Sequence, residues 1–395
     1  MAWGLSDRVK NIAPSPTLSI DAKTKQMIAD GIDVINLSVG EPDFGTPDVA
    51  CSAGKVAIDE QFTKYTAVPG IVELRKKIAA FLKDHAGLHY TADDILVSSG
   101  AKHSLYNAFM ALCNPGDEVI LPAPYWVSYP EMIRLAQAEP VVIPTDESTG
   151  FKITPEQLER AVTPKTKVLL LNSPSNPTGA VYTKEELQAL AEVIKQHEFF
   201  VISDEIYDQL VYDVEQVSIA SFGEELKART LLINGFSKAY SMTGWRVGYM
   251  AGEKSLIKAM TSFQSHTTAN PASISQRAAL AALDHHDEEM VPEFRWRRDY
   301  VLDRIRKMPH LTCDTPSGAF YVFPNCAATY GKSYKGHVIH NSDDFATLLL
   351  EQAKIALVPG SAFAAPNNFR ISYATSRDNL AKAMDRLEAF LNDVQ

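Results

Sequence analysis

The sequence lacks any long apolar run and carries less positive than negative charge. No segment of the 395 residues approaches the roughly 20 apolar residues that a membrane-spanning helix needs, and the first residues lack the apolar core of a signal peptide. The 38 lysines and arginines stand against 48 aspartates and glutamates, which gives a net charge of −10. This balance argues against non-specific binding to nucleic acids or to anionic membranes. We therefore expect a cytoplasmic protein that binds neither nucleic acid nor membranes.

Cysteine and nucleotide-binding motifs are also scarce. The four cysteines form no CxxC pair and have no zinc-ligand spacing with histidine, so the sequence predicts no metal site and free thiols in a reducing compartment. The sequence contains no Walker phosphate loop and no GxGxxG motif after a predicted strand. A site for a nucleotide or a dinucleotide is therefore not expected.

Apolar strands alternate with helices through the middle of the chain. The segments that predict strands are residues 95–98, 118–121, 168–171, 199–203 and 230–234, and those that predict helices are residues 72–85, 102–113 and 184–196. Strands that are apolar on both faces and separated by helices are typical of a mainly parallel sheet covered on two sides. The sequence thus predicts an α/β fold with polar residues clustered after the strands, where open α/β sheets bind ligands.

The character of the sequence changes beyond about residue 285, where charged residues become frequent. A smaller α+β domain is predicted from three apolar segments and a terminal helix, at residues 318–323, 354–358, 369–373 and 379–391. We predict an N-terminal arm with part of the small domain at 1–47, a large domain at 48–287 and a small C-terminal domain at 288–395.

Three short motifs supply candidate chemistry. They are NPTG at residues 176–179, DEIY at residues 204–207 and SKAYSMTGWR at residues 237–246. Together they offer an amide, a carboxylate, a phenol, an amine and a guanidinium. Pyridoxal 5'-phosphate needs this set, because it requires a lysine for a Schiff base, an anchor for its phosphate and groups that tune its ring. The motifs therefore predict a pyridoxal phosphate site in the large domain.

The residues of these motifs have candidate roles at the cofactor ring. Lys238 is the candidate Schiff-base lysine, whose amine would be kept unprotonated by burial and nearby positive charge and would also move the substrate's α-proton. Asp204 follows an apolar strand and would keep the pyridine nitrogen protonated. Tyr207 and Asn176 would donate hydrogen bonds to the phenolic oxygen.

The SGAK segment at residues 99–102 predicts a phosphate site, because it opens a helix directly after a strand. Free backbone amides and the helix dipole favour an anion there, and Gly100 permits close approach of the backbone. Ser237 and Arg246 would complete this site, the arginine as a charged donor.

Two further residues have two interpretations each. Trp126 either stacks on the cofactor ring or packs in the core. Arg370 is either the bidentate partner of a substrate α-carboxylate or part of a surface ion pair.

The motifs together resemble those of class I aminotransferases, which are pyridoxal phosphate enzymes of fold type I. The resemblance covers nearly the whole chain and rests on residues 40–44, 64–65, 99–102, 124–130, 175–179, 203–207, 237–248, 317–321 and 370–376. The motifs are especially similar to those of the bacterial aspartate aminotransferase subgroup. The resemblance implies a large domain with a mainly parallel seven-stranded sheet and a smaller α+β domain.

The resemblance also implies a homodimer with shared active sites, acting on amino acids and 2-oxo acids. Lys238 corresponds to the catalytic lysine. The residues that correspond to cofactor contacts are Ala101, Lys102, Trp126, Asn176, Asp204, Tyr207, Ser237, Lys238 and Arg246, with Tyr65 reaching the neighbouring subunit's phosphate. The residues that correspond to substrate contacts are Gly40, Trp126, Asn176, Arg370, Lys102, Ser15 and Thr17.

The chain departs from the family pattern at two places. Better-known aspartate aminotransferases bind the distal carboxylate with an arginine from the partner subunit, and the comparable residues 266–271 contain none. In the bacterial subgroup this task falls to the lysine that matches Lys102, helped by hydroxyls near Ser15 and Thr17. Some members that also use prephenate carry a basic residue where this chain has Ala13, which weakens the expectation of prephenate activity.

The function implied by the resemblance is transamination of L-aspartate with 2-oxoglutarate, giving oxaloacetate and L-glutamate. Aminotransferases for aromatic, alanine or prephenate-type substrates and pyridoxal phosphate lyases are alternatives, because the side-chain pocket decides among them. A pyridoxal phosphate-binding regulator is the alternative from another class. Such proteins carry an added DNA-binding domain. Because the resemblance to the aminotransferases covers nearly the whole chain, we do not expect such a domain among these residues.

Overall fold

The computed structural model describes residues 4–285 and 287–395. Its strands are β1 (Ile35–Asn36), β2 (Ile95–Ser98), β3 (Glu118–Ala123), β4 (Glu139–Pro144), β5 (Thr166–Asn172), β6 (Phe200–Asp204), β7 (Thr230–Gly235), β8 (Gly248–Ala251), β9 (Tyr321–Val322), β10 (Ser333–Tyr334), β11 (His337–Val338), β12 (Ile355–Ala356), β13 (Val358–Pro359) and β14 (Phe369–Ser372). Its α-helices are α1 (Asp7–Lys10), α2 (Pro16–Ala29), α3 (Asp48–Asp59), α4 (Val72–Ala86), α5 (Ala101–Leu112), α6 (Tyr129–Leu135), α7 (Pro155–Ala161), α8 (Lys184–Ile194), α9 (Glu224–Ala228), α10 (Lys254–Ser265), α11 (Ser273–Ala282), α12 (Met290–Ile305), α13 (Ser342–Leu348) and α14 (Arg377–Asn392).

A seven-stranded sheet with the order β2-β8-β7-β6-β5-β3-β4 organises the larger part of the chain. All neighbours pair in parallel except at β8, which is antiparallel to both β2 and β7. The predicted α/β fold with a mainly parallel seven-stranded sheet is therefore confirmed.

The central strands are apolar on both faces because helices cover the sheet on two sides. Leu231 and Ile233 of β7 pack in one core with residues of α5, α6 and α10. Leu232, which lies between them, packs in a second core with residues of α4 and α11. Alternate residues of one strand thus enter different cores, which is the arrangement expected of a doubly covered sheet.

Two strands of this sheet escaped prediction from the sequence. β4 lies at the edge of the sheet and contains Pro140 and Pro144, and proline is tolerated at an edge because its missing N–H removes no central hydrogen bond. β8 has only four residues and follows the polar motif that ends at Arg246, so no apolar run separates it from that motif. The predicted strands also ended early at residue 121, since β3 continues to Ala123.

A smaller antiparallel sheet, β13-β14-β9, lies in the C-terminal part and packs with α12, α13 and α14 around one core. The N-terminal segment joins this part, because β1 pairs in parallel with β12. The Leu37 amide donates to the Ala356 carbonyl at 2.8 Å, and the Leu37 carbonyl accepts from the Ser372 amide at 2.9 Å. These bonds attach Leu37 to β12 and β14 of the C-terminal part. The division at residues 47 and 287 stays a prediction.

Composition also led to expectations about the cysteines, membrane helices and cellular location. All four cysteines are free thiols. No helix among residues 4–285 and 287–395 is long and apolar enough to cross a membrane. The cytoplasmic location stays a prediction.

Candidate active site

One cleft of about 470 Å³ collects the predicted site residues at the carboxyl ends of β5, β6 and β7. Every predicted cofactor and substrate residue except Tyr65 lines it, namely Ser15, Thr17, Gly40, Ala101, Lys102, Trp126, Asn176, Asp204, Tyr207, Ser237, Lys238, Arg246 and Arg370. Parallel strands end at the same edge of a sheet, so polar residues distant in sequence meet there. Tyr65 is 93% exposed and does not line the cleft.

The N-terminus of α5 and Arg246 form an anion site at one end of the cleft. Gly100 has a φ of 90°, and no side chain caps the helix that follows it. A Cβ atom at Gly100 would lie 2.6 Å from Nη2 of Arg246, so only glycine lets the guanidinium come this close. Uncapped amides of Ala101 and Lys102, a guanidinium and the Ser237 hydroxyl suit a phosphate group.

Lys238 projects into the cleft directly after β7. Its Nζ donates to the Gly40 carbonyl at 2.6 Å. Desolvation lowers the Lys238 pKa to about 8, the negative charge of Glu41 opposes this shift, and the positive charges of Arg370 and Arg246 add to it. A large fraction of this amine is therefore neutral in mildly alkaline solution, as covalent attachment requires.

Asp204 is the last residue of β6 and is 2% exposed. Its Oδ2 accepts a hydrogen bond from the Tyr129 hydroxyl at 2.6 Å, and its Oδ1 accepts from the Ile206 amide at 3.2 Å. Burial raises the Asp204 pKa to about 6, while these two hydrogen bonds lower it. A buried carboxylate that forms no salt bridge with any described residue suits a protonated ring nitrogen.

Two buried phenols lie beside this carboxylate. The hydroxyls of Tyr207 and Tyr321 are 2.8 Å apart and share a hydrogen bond. Burial raises the Tyr207 pKa well above its usual value, so the phenol stays protonated and able to donate. A Cβ atom at Gly40 would lie 2.6 Å from the Tyr321 hydroxyl, so a larger residue there would displace this hydroxyl.

Arg370 is a buried cation without an anionic partner among the described residues. It is 2% exposed, with Nη1 donating to Oδ1 of Asn176 at 2.8 Å and Nη2 donating to the Ser38 carbonyl at 2.6 Å. Its Nε has no hydrogen-bond partner, and its guanidinium lies 4.5 Å from the centroid of the Tyr321 ring. The interpretation as a surface ion pair is therefore wrong, and the side chain suits a ligand carboxylate.

Lys102 and Trp126 form the outer wall of the cleft. Nζ of Lys102 lies 4.7 Å from the centroid of the Trp126 ring. Desolvation and the positive charge of Arg246 both lower the Lys102 pKa. Trp126 also packs edge-on against Tyr129 at 5.3 Å between ring centroids, so its ring combines core packing with exposure to the cleft.

The first turn of α2 places Ser15 and Thr17 on the same cleft. Ser15 caps this helix, since its hydroxyl accepts from the Leu18 amide at 3.5 Å, and Pro16 occupies the first turn, where proline is favoured. The cap holds both hydroxyls at the rim of the cleft.

Sequence reasoning missed the residues that support this set. Tyr129, Tyr321 and Ser38 contact Asp204, Tyr207 and Arg370, respectively. Tyr129 and Tyr321 lie in the motifs at 124–130 and 317–321, which carry the family resemblance. The sequence assigned no function to either tyrosine. Ser38 contributes only its backbone carbonyl, so no side-chain motif could have found it.

Comparisons with known proteins identify the family of the chain. The family model for aminotransferase class I and II matches residues 32–387. The chain is 49% identical over 391 residues to an aspartate aminotransferase of Geobacillus stearothermophilus and 48% identical over 392 residues to an aspartate/prephenate aminotransferase of Cereibacter sphaeroides, covering 98% of each chain in both cases.

Solved structures are similar to this chain over nearly its whole length. The aspartate aminotransferase of Rhizobium meliloti has a TM-score of 0.97 at 44% identity and full coverage of both chains. The aspartate aminotransferase of Thermus thermophilus with maleate has a TM-score of 0.93 at 42% identity, covering 98% of this chain and 100% of that one. The chain therefore belongs to the class I and II aminotransferase family.

Proposed function

We propose that the protein transfers an amino group from L-aspartate to 2-oxoglutarate, giving oxaloacetate and L-glutamate, with pyridoxal 5'-phosphate bound in the cleft. One observation carries the proposal: Lys238, Asp204 and Arg370 meet in one cleft, and none forms a salt bridge with a described residue. Desolvated charges need partners. A protonated ring nitrogen and a substrate carboxylate supply partners for Asp204 and Arg370, and the neutral amine of Lys238 is available to condense with an aldehyde.

The donor set suits this cofactor at both ends. The uncapped start of α5 and Arg246 suit its phosphate, and Asp204 suits its ring nitrogen. When bound, pyridoxal phosphate supplies an electron-withdrawing ring that stabilises the negative charge left on the substrate's α-carbon after proton removal.

The chain's own groups position the substrate and move its proton. Arg370 binds one carboxylate, which restricts the orientation of the α-carbon. Asn176 already accepts from Arg370 through Oδ1, so its Nδ2 group is the donor that remains for the ligand, beside the Tyr207 phenol. Lys238 takes the α-proton and returns it, because an amine with a pKa of about 8 exchanges protons readily near neutral pH.

A substrate with two carboxylates is supported by the cleft and by the relatives. Maleate, which the Thermus structure holds, and prephenate, which the Cereibacter relative is named for, each carry two carboxylates. Arg370 and Lys102 are two cations of the same cleft without carboxylate partners among the described residues. They supply one positive charge for each carboxylate.

A steady-state panel tests the proposed function. Aspartate, alanine, phenylalanine and glutamate are offered as donors, with 2-oxoglutarate, oxaloacetate or prephenate as acceptors. We expect the highest kcat/KM for aspartate with 2-oxoglutarate and release of oxaloacetate. Transfer that favours alanine or phenylalanine, or loss of carbon dioxide or of the side chain without amino transfer, would refute this substrate assignment.

Replacing Lys102 with alanine should change substrate choice. A desolvated carboxylate without a cation is costly, so we expect KM for aspartate and 2-oxoglutarate to rise roughly ten- to a hundredfold, while turnover of alanine changes little. The matched control is Lys25→Ala, because Lys25 lines the same cleft but already pairs with Asp21 at 2.8 Å. Equal losses with both substrate classes, accompanied by weaker cofactor retention, would assign Lys102 to the phosphate instead.

We also propose a homodimer in which Tyr65 completes the partner's cleft. Tyr65 is 93% exposed, yet the loop that follows it is held firmly. Gln276 accepts from the Ile71 amide at 2.8 Å and donates to Thr66 at 3.1 Å, and Gln264 donates to the Val68 carbonyl at 3.1 Å. An exposed aromatic side chain on an anchored loop is suited to an interface.

Subunit mixing tests the shared site. We expect a mixture of the weakly active Tyr65→Ala protein and the inactive Lys238→Ala protein to regain activity after subunit exchange, because one cleft of each heterodimer then has both residues. Arg370→Ala mixed with Lys238→Ala is the matched control and should regain none, since both residues line the same cleft. The shared-site proposal fails if exchange is verified and activity stays at the sum of the separate proteins.

A further inference from the structure

Tyr129 links two groups of the cleft that come from different parts of the chain. It is the first residue of α6, it is 2% exposed, and its hydroxyl donates to Asp204 at 2.6 Å across 75 residues of sequence. The same ring packs edge-on against Trp126, with 5.3 Å between centroids. Both contacts concern Asp204 and Trp126, which are the residues expected to contact the cofactor ring.

The hydrogen bond to Tyr129 decides how the Asp204 carboxylate is oriented. Oδ1 is held by the Ile206 amide, and Oδ2 is held by Tyr129 alone among the described residues. With both oxygens fixed, the plane of the carboxylate is set before any ligand arrives, which lowers the entropy lost on binding. Charge-assisted O–H···O bonds of this length are also among the stronger hydrogen bonds in proteins.

We propose that Tyr129 is a positioning residue, holding Asp204 through its hydroxyl and Trp126 through its ring. The inference rests on the proposed function, because Asp204 and Trp126 are expected to contact the cofactor. Tyr129 itself lines the cleft, and its effect is assigned to these two neighbours because its hydroxyl already donates to Asp204 and its ring packs against Trp126.

Loss of the Tyr129 hydroxyl should raise the Asp204 pKa. The ionisable groups that face Asp204 are Tyr129 from α6, Tyr207 from the segment after β6 and Lys238 from the segment after β7. Tyr129 and Lys238 lower the Asp204 pKa against the desolvation that raises it. Removing the Tyr129 hydroxyl removes one stabiliser of the ionised form, so the Asp204 pKa rises further and protonation begins at a higher pH.

Tyr129→Phe removes the hydroxyl and keeps the ring against Trp126. We expect the affinity of the apoprotein for pyridoxal phosphate, measured by quenching of tryptophan fluorescence, to fall about tenfold at neutral pH. We expect the acid limb of the kcat profile to move to higher pH with KM nearly unchanged. Tyr125→Phe is the matched control, because Tyr125 lies four residues earlier and its side chain does not line the main cleft.

A double-mutant cycle with Asp204→Ala, which removes both acceptor oxygens of the carboxylate, separates positioning from a general structural role. If Tyr129 acts through Asp204, Tyr129→Phe lowers cofactor affinity much less in the Asp204→Ala background than in the wild-type background. An equal loss in both backgrounds, or an affinity and an acid limb within twofold of wild type, overturns the inference. A Tyr129→Phe protein too unstable to assay also overturns it, because the residue would then serve the fold. Failure of the wild-type apoprotein to bind the cofactor would instead refute the proposed function.

Discussion

Replacing Lys238 with alanine is expected to abolish transamination while the fold and noncovalent binding of pyridoxal phosphate persist. No other described residue offers a desolvated amine beside Asp204, since Lys102 lies at the outer wall against Trp126. The Lys238 amine is the proposed base for the α-proton, and alanine has no group that could replace it. We expect kcat to fall below detection, and circular dichroism to be unchanged.

Chemical labelling provides a readout that does not depend on turnover. Borohydride reduction of the wild-type protein with its cofactor should attach the label to Lys238, as read by peptide mapping. Lys102→Ala is the matched control and should keep the label on Lys238. A label on Lys102, or measurable turnover by the Lys238→Ala protein, would overturn the assignment.

Much of the fold could be predicted from the sequence because the central strands carry their own signal. β5, β6 and β7 are continuous apolar runs, since helices cover both faces of the sheet, and they ended within two residues of the predicted bounds. β4 and β8 carry no such signal. β4 is an edge strand with prolines, and the four residues of β8 pair antiparallel in a sheet that the pattern predicts to be parallel.

In the candidate site, residues near the ends of strands could be predicted, whereas contacts between residues far apart in the sequence could not. Asp204, Lys238 and the start of α5 could be found because each lies at the end of a strand or within three residues after it, so chain order alone brings them to one edge of the sheet. The partners of these groups could not be found in this way. Tyr321 reaches Tyr207 across 114 residues, and Arg370 reaches Ser38 across 332, through contacts that exist only when the two parts of the chain pack together.

Arg370 and Tyr65 show which contacts a sequence pattern cannot predict. In the sequence, Arg370 is a charge between Phe369 and Ile371, which fits a strand exposed on one face as well as a buried one. It is buried only in the folded chain, where its guanidinium contacts Asn176, the Ser38 carbonyl and the Tyr321 ring. Tyr65 is the opposite case, because its proposed partner is a second copy of the chain, and neither the sequence nor one chain's packing contains that contact.

Asp204→Asn is expected to lower kcat by roughly two to four orders of magnitude, which corresponds to about 3–5 kcal/mol for removing one member of a buried charge pair. Asparagine keeps the shape of the side chain, and its Oδ1 can still accept a hydrogen bond from Tyr129. It lacks the negative charge that the proposal assigns to the ring nitrogen. The loss should therefore fall on kcat far more than on KM, because Arg370 still binds the substrate carboxylate.

Asp208→Asn is the matched control for this charge. Asp208 is also buried and lies four residues further along the chain, but its carboxylate faces His85 at 3.4 Å and does not line the cleft. We expect this variant to change thermal stability and to leave kcat within a few-fold of wild type. Near-normal kcat in Asp204→Asn would refute the proposed role of Asp204. Equal losses in both variants would show that buried negative charge in this region supports the fold and has no specific role at the cofactor, because Asp208 cannot reach the ring from outside the cleft.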